Sequence, residues 1–558
     1  MSPLTQPKNH AARMGRWSAA HWKTATFGWL AFVVVAFVLG GQIGTNQIDA
    51  KASGPGESGR MAKILDAGFK QPAGESVLIQ SRSLVASDPA FTAAIKDVVA
   101  GISRLEAVQN VRSPLESANA GQISKNGHAA LVEFQIRGDS DKATEKIDPV
   151  VDEIADAQTA HPQLFIGGFG DASAGKALDA AFTDDLKKAG LFSVPITLLI
   201  LLIAFGALVA AGIPLLLALT AVIATLGLIA LPSQLLPVAP DVSAIVLLVG
   251  LAVGVDYSMF YLKREREERA AGRSERAALE AAAATSGRSV MISGLTVMVA
   301  MAGMFLTGDP TFASFGLATM IVVFVAMLGS LTVLPALLSK LGDKVDRVRV
   351  PFVGRLRREN GEGRIWGAII DRVLRRPVLS IVLAGGLLLA LAAPALQLRT
   401  VIAGPDTYPQ SLPVVKTYNR LQQAFPGTET PANVVVKAPN VNAPQVREAI
   451  DQLKQRALAS GRMHEPILVD INKDATVANI AIPIDGEGTD AASNAALAAL
   501  RNEIVPVTVG ALPNSESGVT GLTAGSKDVT AQMKSKLPLV FSCCCSRSRS
   551  CWSPSARS

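Results

Sequence analysis

The chain has 558 residues, 49% of them hydrophobic, and a formal net charge of +7 at neutral pH. A soluble protein of this length would consist of several domains, and none of them would tolerate so many long apolar runs, so the composition excludes an ordinary soluble protein. The positive charge does not indicate a nucleic-acid-binding protein, because the lysines and arginines cluster beside the apolar runs.

Seven apolar runs are long enough to cross a bilayer as helices. Each has roughly 18 residues or more with few or no charges, which is the length that a membrane helix requires. They lie at about 25–43, 189–209, 212–231, 242–262, 289–308, 314–338 and 377–396. The sequence therefore predicts a multi-pass membrane protein, and we expect its first run to remain in the protein rather than to be cleaved as a signal peptide.

The basic residues predict the orientation of these helices. Lysine and arginine concentrate at residues 8–23, 263–288 and 340–376, whereas the connections 232–241 and 309–313 carry none. Threading seven helices from a cytoplasmic N-terminus places all three basic clusters inside and both neutral connections outside, as the positive-inside rule requires. We therefore expect the N-terminus to lie in the cytoplasm.

Two polar segments, 44–188 and 397–536, follow the first and seventh apolar runs. In each, short strands and amphipathic helices follow the order β-α-β-β-α-β, which predicts a ferredoxin-like α/β domain outside the membrane. The strands are predicted at 77–81, 108–111, 130–137, 164–168, 433–438, 466–471, 476–484 and 506–511, and the helices at 57–70, 88–106, 142–159, 414–425, 444–459 and 489–503. Neither segment contains cysteine, so no disulfide framework holds them.

An acidic residue interrupts the fourth apolar run. Asp256, followed by Tyr257, lies within the otherwise apolar residues 241–262. A carboxylate in such a helix costs about 2.5–3.5 kcal/mol on insertion scales, so it is typical of proton or ion handling inside a helix bundle. The alternative, an Asp in a buried helix of a soluble protein, is disfavoured by the other apolar runs. Just before it, Gly250 and Gly254 form a small-xxx-small face that predicts close helix packing.

The end of the chain departs from an internal repeat. Residues 170–192 run into the second apolar run, and residues 521–541 resemble them about 350 positions later. A second block of five membrane helices is therefore expected near Leu537, but the chain continues as SCCCSRSRSCWSPSARS. A run of CTG leucine codons read one base late becomes a run of cysteine codons, so we expect residues 537–558 to be an aberrant, frameshifted tail.

The alternative is a genuine Cys/Arg-rich cytosolic tail, used for palmitoylation or for a metal. Its cysteines are Cys543, Cys544, Cys545 and Cys551. The first three are too close together for a CxxC-type zinc site.

The residues around Asp256 resemble those of a known transporter family. The sequences GLAVGVDYSMFYLKREREER and GRSVMISGLTVMVAMAGMFL, at 250–269 and 287–306, are similar to those of MMPL (mycobacterial membrane protein large) transporters of the RND superfamily. The resemblance implies that Asp256 binds protons and that Tyr257 is its hydrogen-bonding neighbour. Ser293 and Thr296 on the next helix are candidate relay partners, although bonds to carbonyls of their own helix would explain these hydroxyls as well. The Arg/Glu run at 263–280 is expected to be a solvated helix with i,i+4 ion pairs.

The resemblance also implies an architecture. It covers residues 15–541 and predicts a membrane α-helical bundle plus α/β domains, namely an RND-like half with one plus five transmembrane helices, a seventh helix and two ferredoxin-like extracytoplasmic domains. The predicted parts are a cytoplasmic N-terminus at 1–24, helix 1 at 25–43, an α/β domain at 44–188, a sterol-sensing-like five-helix bundle at 189–338, a basic cytoplasmic loop at 339–376, helix 7 at 377–396, a second α/β domain at 397–536 and the tail at 537–558. In such proteins a second Asp-Tyr pair faces the first, and the repeat would place it near position 605, so we expect this chain to be incomplete or inactive alone.

The function implied by the resemblance is export of lipids or other hydrophobic or amphipathic molecules across a bacterial plasma membrane, driven by the proton-motive force. Protons, a lipid substrate and the membrane are the expected partners. A further partner, either other copies of the chain in a homo-oligomer or a missing second half, stays open. The alternative is a non-transporting membrane scaffold or lipid sensor. An enzyme is disfavoured, because the sequence has no P-loop, no HExxH and no nucleophile elbow; no cofactor or metal is expected.

Overall fold

The structure is a computed structural model, which describes residues 10–48, 54–69, 73–138, 142–346, 362–397, 408–425, 431–465, 467–486 and 488–550. The chain divides into two compact units, each formed by separate stretches of sequence. We call Met1–Ile48, Asp185–Arg399 and Lys536–Ser558 the helical unit, and Asp49–Asp184 and Thr400–Ser535 the α/β unit.

The helices and strands follow one another in this order. The first part of the chain contains α1 (His10–Ala20), α2 (Trp22–Ile43), α3 (Gly56–Gly68), β1 (Gly74–Gln80), α4 (Pro89–Ser103), β2 (Val108–Arg112), β3 (Ala129–Ile136), α5 (Ala143–Lys146), α6 (Asp148–Ala160), β4 (Phe165–Gly170) and α7 (Asp171–Phe205). The middle contains α8 (Leu208–Leu228), α9 (Ala230–Ser233), α10 (Val242–Ala270), α11 (Glu275–Ala282), a π-helical turn (Ala283–Gly287), α12 (Arg288–Ala302) and α13 (Pro310–Leu341). The last part contains α14 (Glu362–Arg375), α15 (Pro377–Ala392), α16 (Pro413–Ala424), β5 (Ala432–Lys437), α17 (Pro444–Ala459), β6 (Leu468–Ile471), β7 (Val477–Ile482), α18 (Ala491–Ala499), β8 (Glu516–Thr520) and α19 (Leu522–Ser550).

Seven of the described helical segments are long and apolar enough to cross a membrane, in agreement with the seven predicted runs. They are Trp22–Ile43, Asp171–Phe205, Leu208–Ser233, Val242–Ala270, Glu275–Thr307, Pro310–Leu341 and Pro377–Ala395. The second begins at Asp171 instead of near residue 189, because the polar residues before the apolar run are rich in alanine and continue the helix. It ends at Phe205, where Gly206 adopts a φ of 70°.

Helices α8, α10 and α13 form the centre of the helical unit. Within their apolar stretches, 67%, 50% and 72% of the residues are buried, compared with 11% in α7 and 0% in the segment Pro377–Ala395. The apolar side chains left exposed on the outer helices are those that lipid would cover. The centre of the unit is therefore packed by protein, and its rim is available to a bilayer or to further helices.

Helices α2 and α8 cross at two glycines. A side chain at Gly40 would overlap the backbone of Gly227, and a side chain at Gly227 would overlap the carbonyl group of Ala36. Elsewhere along the same pair, the indole N–H of Trp29 donates a hydrogen bond to Thr220 Oγ1 at 3.1 Å. Small residues allow membrane helices to approach until their backbones touch, so these glycines set the distance between α2 and α8.

Both sheets of the α/β unit have four antiparallel strands. The first has the order β2-β3-β1-β4, and the second has the order β6-β7-β5-β8. In the centre of the first sheet, Val77 lies opposite Val132 on one side and Gly168 on the other. Both sheets have the connectivity β-α-β-β-α-β. Helices α4 and α6 cover one face of the first sheet, and α17 and α18 cover one face of the second.

Two predicted elements of the α/β segments are wrong. Residues 506–511 form 3-10 turns, Val505–Val507 and Val509–Ala511, and the fourth strand of the second sheet is β8. The place beside β5 is taken by β8, which pairs with it from Asn433 opposite Thr520 to Lys437 opposite Glu516. The predicted helix 142–159 is divided into α5 and α6, since Pro149 is at the beginning of α6, where proline favours a helix start.

The helix before each sheet packs on the sheet of the other half. Met61 of α3 packs against Val435 and Val477 of the second sheet. Leu421 of α16 packs against Leu78 of the first sheet, and the ring of Tyr418 lies 4.9 Å from that of Phe169 in β4. Each half of the α/β unit therefore completes the packing of the other.

Arg501, whose side chain is 13% exposed, holds α3 on the second sheet. Arg501 Nη1 donates to Asp528 Oδ1 at 2.7 Å, and the backbone N–H of Ser58 in α3 donates to Asp528 Oδ2 at 2.8 Å. The carboxylate of Glu57, also in α3, accepts a hydrogen bond from the backbone N–H of Val519 at 2.7 Å. Burial alone would raise the pKa of Asp528, but the bonds from Arg501 and Ser58 hold it below its usual value.

We expect Gly227→Ala to lower the free energy of unfolding by about 1–3 kcal/mol, because the added methyl group would overlap the backbone of α2. Gly212→Ala on the same helix is the matched control, since no heavy atom lies within 4 Å of its added methyl group. Thermal unfolding of the purified protein in a mild detergent should show a lower Tm for the first variant only. Equal Tm values for the two variants would contradict the close crossing.

Candidate functional site: a membrane carboxylate and an apolar cavity

Helix α10 carries the predicted proton site and packs through two glycines. A methyl group at Gly250 would lie 2.8 Å from a methyl of Val322 on α13, and one at Gly254 would lie 2.8 Å from the Cβ of Ala218 on α8. Both glycines are buried. Larger residues would force α10 away from its neighbours, so the two glycines determine the direction in which the side chain of Asp256 points.

Asp256 lies on the exposed face of α10. Leu248 and Phe260, eight residues before and four residues after it, are 59% and 55% exposed on the same face. Within the part of the chain that the structure describes, no side chain forms a hydrogen bond or an ion pair with Asp256. Because a charged group on an apolar membrane face is costly, this carboxyl group needs water or a polar partner when the face is covered.

Tyr257 points into the bundle instead. The residue is 6% exposed, and its hydroxyl lies 3.5 Å from the point that a Cβ on Gly294 of α12 would occupy. Met327 Sδ of α13 lies 2.9 Å from the same point. Among the described residues, the hydroxyl of Tyr257 has no hydrogen-bond partner, so it is not bonded to Asp256. Adjacent helical residues point about 100° apart, which explains why the two side chains separate.

Ser293 and Thr296 are both exposed on α12. Thr296 Oγ1 donates to the carbonyl oxygen of Ile292 at 2.8 Å, which is the alternative that the sequence left open. Neither hydroxyl is bonded to Asp256 within the described ranges. The structure therefore brings Tyr257, rather than Asp256, into contact with α12.

A pair of buried hydroxyl groups that sequence reasoning missed joins α10 to α13. Ser258 Oγ donates to the carbonyl oxygen of Gly254 at 2.8 Å and lies 3.4 Å from Ser330 Oγ. Both serines are almost fully buried. The signal that could have revealed Ser258 is its position, four residues after Gly254 and eight after Gly250, on the packing face of the helix.

The charged end of α10 is only partly solvated. Glu265 and Glu268 are 4% and 7% exposed, and each forms an ion pair with an arginine four residues away. Arg266 donates a hydrogen bond to the carbonyl oxygen of Phe205, at the end of α7, at 3.0 Å. The prediction of a solvated helix at 263–280 is therefore wrong for the inner face, although its i,i+4 pairs are present.

The α/β unit contains an apolar cavity of about 580 Å³. It lies between α6, β4, the start of α7 and the start of α16, so the exchanged helix forms one of its walls. Its apolar lining includes Val150, Val151, Ile154, Ala155, Phe165, Ala177 and Val414. Small-molecule sites commonly have about 300–1,000 Å³ of space, mostly apolar walls and a few polar groups, and this cavity fits that description.

Glu75 is the buried polar group of this cavity. It is 4% exposed, and its Oε1 accepts hydrogen bonds from the backbone N–H groups of Ala172 and Ser173, at 2.7 and 3.0 Å. Burial raises the pKa of Glu75 above its ordinary value, and these hydrogen bonds offset only part of that effect. Sequence reasoning missed Glu75, because it lies just before the predicted strand 77–81 and resembles a surface residue at a strand end.

Charged side chains also line the cavity. Lys176 forms an ion pair with Asp148, and Lys416 lines the wall contributed by α16. Among the residues that the structure describes, no group of three His, Cys, Asp or Glu side chains could hold a metal ion. Cys551 and the side chains of Cys543, Cys544 and Cys545 lie outside the described residues. The lining of the cavity, with its apolar walls, Glu75 and two lysines, suits an apolar molecule that carries a polar group.

Comparison with known proteins assigns the family. The MMPL family model matches residues 55–380, which extend from the α3 region to α15 and include both Glu75 and Asp256. The chain belongs to the MMPL family.

Several MMPL relatives are known by function. The mycolic acid-containing lipids exporter MmpL11 of Mycolicibacterium smegmatis is 33% identical over 70% of this chain and 41% of that protein. The heme uptake protein MmpL11 of Mycobacterium tuberculosis is 30% identical over 69% and 40%, respectively. The trehalose monomycolate exporter MmpL3 of the same species is 27% identical over 52% and 33%. This MMPL chain thus spans less than half the length of these relatives.

We expect Glu75→Gln to make the stability of this MMPL chain less dependent on pH. The pKa of Glu75 is raised in the folded protein, so folding takes up a proton at pH values between its ordinary value of 4.5 and the raised one. The free energy of unfolding of the unsubstituted protein should therefore decrease as the pH rises through that range. The amide keeps an acceptor for Ala172 and Ser173 but does not ionise, so this decrease should disappear.

Thermal unfolding at a series of pH values from below 4.5 to neutral measures this effect. Glu106→Gln, at an exposed position, is the control and should keep the pH profile of the unsubstituted protein. Identical profiles for Glu75→Gln and the unsubstituted protein would show that Glu75 does not titrate in this way.

Proposed function

We propose that this chain belongs to a transporter that exports lipids or other amphipathic molecules and uses proton entry at Asp256 as its energy source. The observation that carries the proposal is a carboxyl group on the apolar outer face of a membrane-length helix, within the sequence that resembles the MMPL motif. Two of the relatives named above are lipid exporters, which supports the substrate class. A third relative is named a heme uptake protein, so its name denotes uptake and not export.

The proposed proton step takes place on the face of α10 that carries Asp256. Protonation neutralises the carboxyl group and removes most of the cost of covering this face with apolar surface. Each proton that moves down the membrane potential supplies about 2.3 kcal/mol per 100 mV. In this proposal, a second bundle packs against the face and alternates between a state with a charged and a state with a neutral Asp256. Tyr257, with its buried hydroxyl aimed at α12, responds to that movement as a hydrogen-bonding group.

The proposed holding site for the transported molecule is the cavity of the α/β unit. Its apolar walls would hold acyl chains or a ring system, and Glu75 would accept a hydrogen bond from a hydroxyl or amide group at the polar end. We propose further that the two sheets are ferredoxin-like domains outside the membrane. The proposed membrane topology has one helix, five helices and a seventh helix, with a cytoplasmic N-terminus; the basic clusters support this orientation.

A scaffold or lipid sensor is the second candidate function. It is favoured by the finding that, among the described residues, Asp256 has no polar partner that could relay a proton. A sensor would bind lipid without moving protons. The two candidates therefore differ in a single measurable quantity, which is proton flux.

We expect Asp256→Asn to slow proton entry into proteoliposomes at least tenfold, which corresponds to about 1.4 kcal/mol in the barrier. Vesicles would contain a full-length form of the protein, in which a second bundle covers this face of α10, together with a pH-sensitive dye, and a potassium gradient with valinomycin would impose the membrane potential. Movement of a fluorescently labelled phospholipid between leaflets would be followed in parallel and should fall together with the proton flux.

Asp185→Asn is the control for the loss of a carboxylate, because Asp185 is exposed on α7, outside the apolar stretch. It should leave both rates unchanged. Equal rates for Asp256→Asn and the unsubstituted protein would reject the proton site. If the unsubstituted protein binds lipid but shows neither proton flux nor lipid movement, the result would favour the sensor.

We expect Ala155→Phe to weaken binding of the labelled lipid at least tenfold, since the added ring would fill part of the cavity. Ala160→Phe, at an exposed position at the end of the same helix and outside the cavity lining, is the control. Fluorescence anisotropy of the labelled lipid with purified protein measures the affinity. Asp256→Asn should bind normally, so the cavity and the proton site are tested separately. Unchanged binding by Ala155→Phe would contradict a role of the cavity.

A further inference from the structure

Helix α1 packs against the rest of the helical unit through a face of small residues. Ala11, Ala12, Gly15 and Ser18 are buried. A methyl group on Gly15 would lie 2.7 Å from Ala283 in the π-helical turn and 3.5 Å from the hydroxyl of Tyr261. Residues of this size hold α1 close to the bundle and prevent it from rotating, so the residues on its other side form a defined surface.

That outer surface is basic and aromatic. Arg13, Arg16 and Lys23 are exposed, and Trp17 is 50% exposed. The imidazole ring of His21 stacks on Trp17 with the ring centroids 5.4 Å apart. We call the outer residues Arg13, Arg16, Trp17, His21, Trp22 and Lys23 the α1 surface.

One further cation, Lys340, adjoins this surface beside Trp22 at the start of α2. Lys340 Nζ, from the end of α13, lies 4.8 Å from the centre of the Trp22 ring, and Lys23 Nζ lies 5.9 Å from it. Both distances are within the range of cation–π contacts, so the indole ring orders two ammonium groups side by side.

Little negative charge faces these cations. The first 48 residues of the chain contain neither Asp nor Glu. Glu275 and Glu280 line a small cavity of about 290 Å³ together with Arg16 and Arg276. Within the described ranges, no ion pair joins Arg13, Arg16 or Lys23 to a carboxylate. The α1 surface therefore keeps a net positive charge that the protein itself does not neutralise.

We propose that the α1 surface binds the phosphate groups of anionic phospholipids at the membrane surface. Only His21 separates α1 from α2, a membrane-length helix, so the α1 surface lies at the boundary between hydrocarbon and water when α2 spans a bilayer. Tryptophan is enriched at that boundary, and arginine and lysine near it attract anionic headgroups. A polynucleotide would also match the charge, but its binding does not require the position beside α2. The proposal depends on α2 spanning a bilayer and is independent of the chemistry of Asp256.

The test uses the full chain, purified in an uncharged detergent. Phosphatidylglycerol or phosphatidylcholine is added in mixed micelles, and bound lipid is counted by native mass spectrometry. We expect the apparent affinity for phosphatidylglycerol to exceed that for phosphatidylcholine at least tenfold. The triple variant Arg13→Gln, Arg16→Gln, Lys23→Gln should lose this preference, and Arg13→Lys, Arg16→Lys, Lys23→Arg should keep it.

Arg447→Gln, Lys454→Gln, Arg456→Gln on α17 removes the same charge from the α/β unit and should also keep the preference. Quenching of tryptophan by brominated phosphatidylglycerol in the chain without charge substitutions gives a second measurement, which does not depend on the folding of the triple variant. It should be stronger than quenching by brominated phosphatidylcholine and should weaken in Trp17→Phe, Trp22→Phe.

Three results would overturn the proposal. The first is an unchanged preference for phosphatidylglycerol in the triple glutamine variant or in the quenching experiment with both tryptophans replaced. The second is displacement of the lipid by glycerol phosphate at equal concentration, which would indicate a site for free phosphate. The third is tighter binding of a short RNA, lost in the same triple variant, which would assign the surface to nucleic acid.

Discussion

Close contact between helix backbones at glycine residues determines the arrangement of the helical unit. In a bilayer the backbone of each helix satisfies its own hydrogen bonds, so helices associate through packing and through small residues that allow a close approach. Gly250 and Gly254 bring α10 against α13 and α8, and Gly227 brings α8 against α2. Ser258 continues the same face of α10. These contacts fix the rotation of α10, and for that reason Asp256 lies on the outer face.

The α/β unit is held together in a different way, because its strands and helices can use ion pairs as well as apolar contacts. Exchange of α3 and α16 between the sheets makes each half of the unit depend on the other. The network of Arg501 with Asp528 fastens α3 to the second sheet. On the first sheet, α16 forms one wall of the cavity that Glu75 lines. The cavity therefore exists only when residues more than 200 positions apart in the sequence fold together.

The parts of the structure that depend on local sequence could be predicted, and those that depend on distant partners could not. Long apolar runs predict membrane-length helices because length and hydrophobicity are local properties. The spacing of Gly250 and Gly254 indicated a packing face for the same reason. The exchange of α3 and α16 has no local signal, since their apolar faces would suit either sheet. Residues 506–511 show the opposite case: an apolar, β-branched run favoured a strand, but the place beside β5 is taken by the later strand β8.

The carboxyl groups of Glu75 and Asp256 have opposite surroundings. Glu75 is buried, and backbone N–H groups at the start of α7, within the described α/β unit, donate hydrogen bonds to one of its oxygens. Asp256 has an apolar face around it and no polar partner among the described residues. A charge in that position is stable only with water or with a polar group from outside the described helical unit. A surface can therefore cover this face of α10 at low cost only if it supplies a polar group or if Asp256 is protonated. This requirement would couple movement of the covering surface to proton binding.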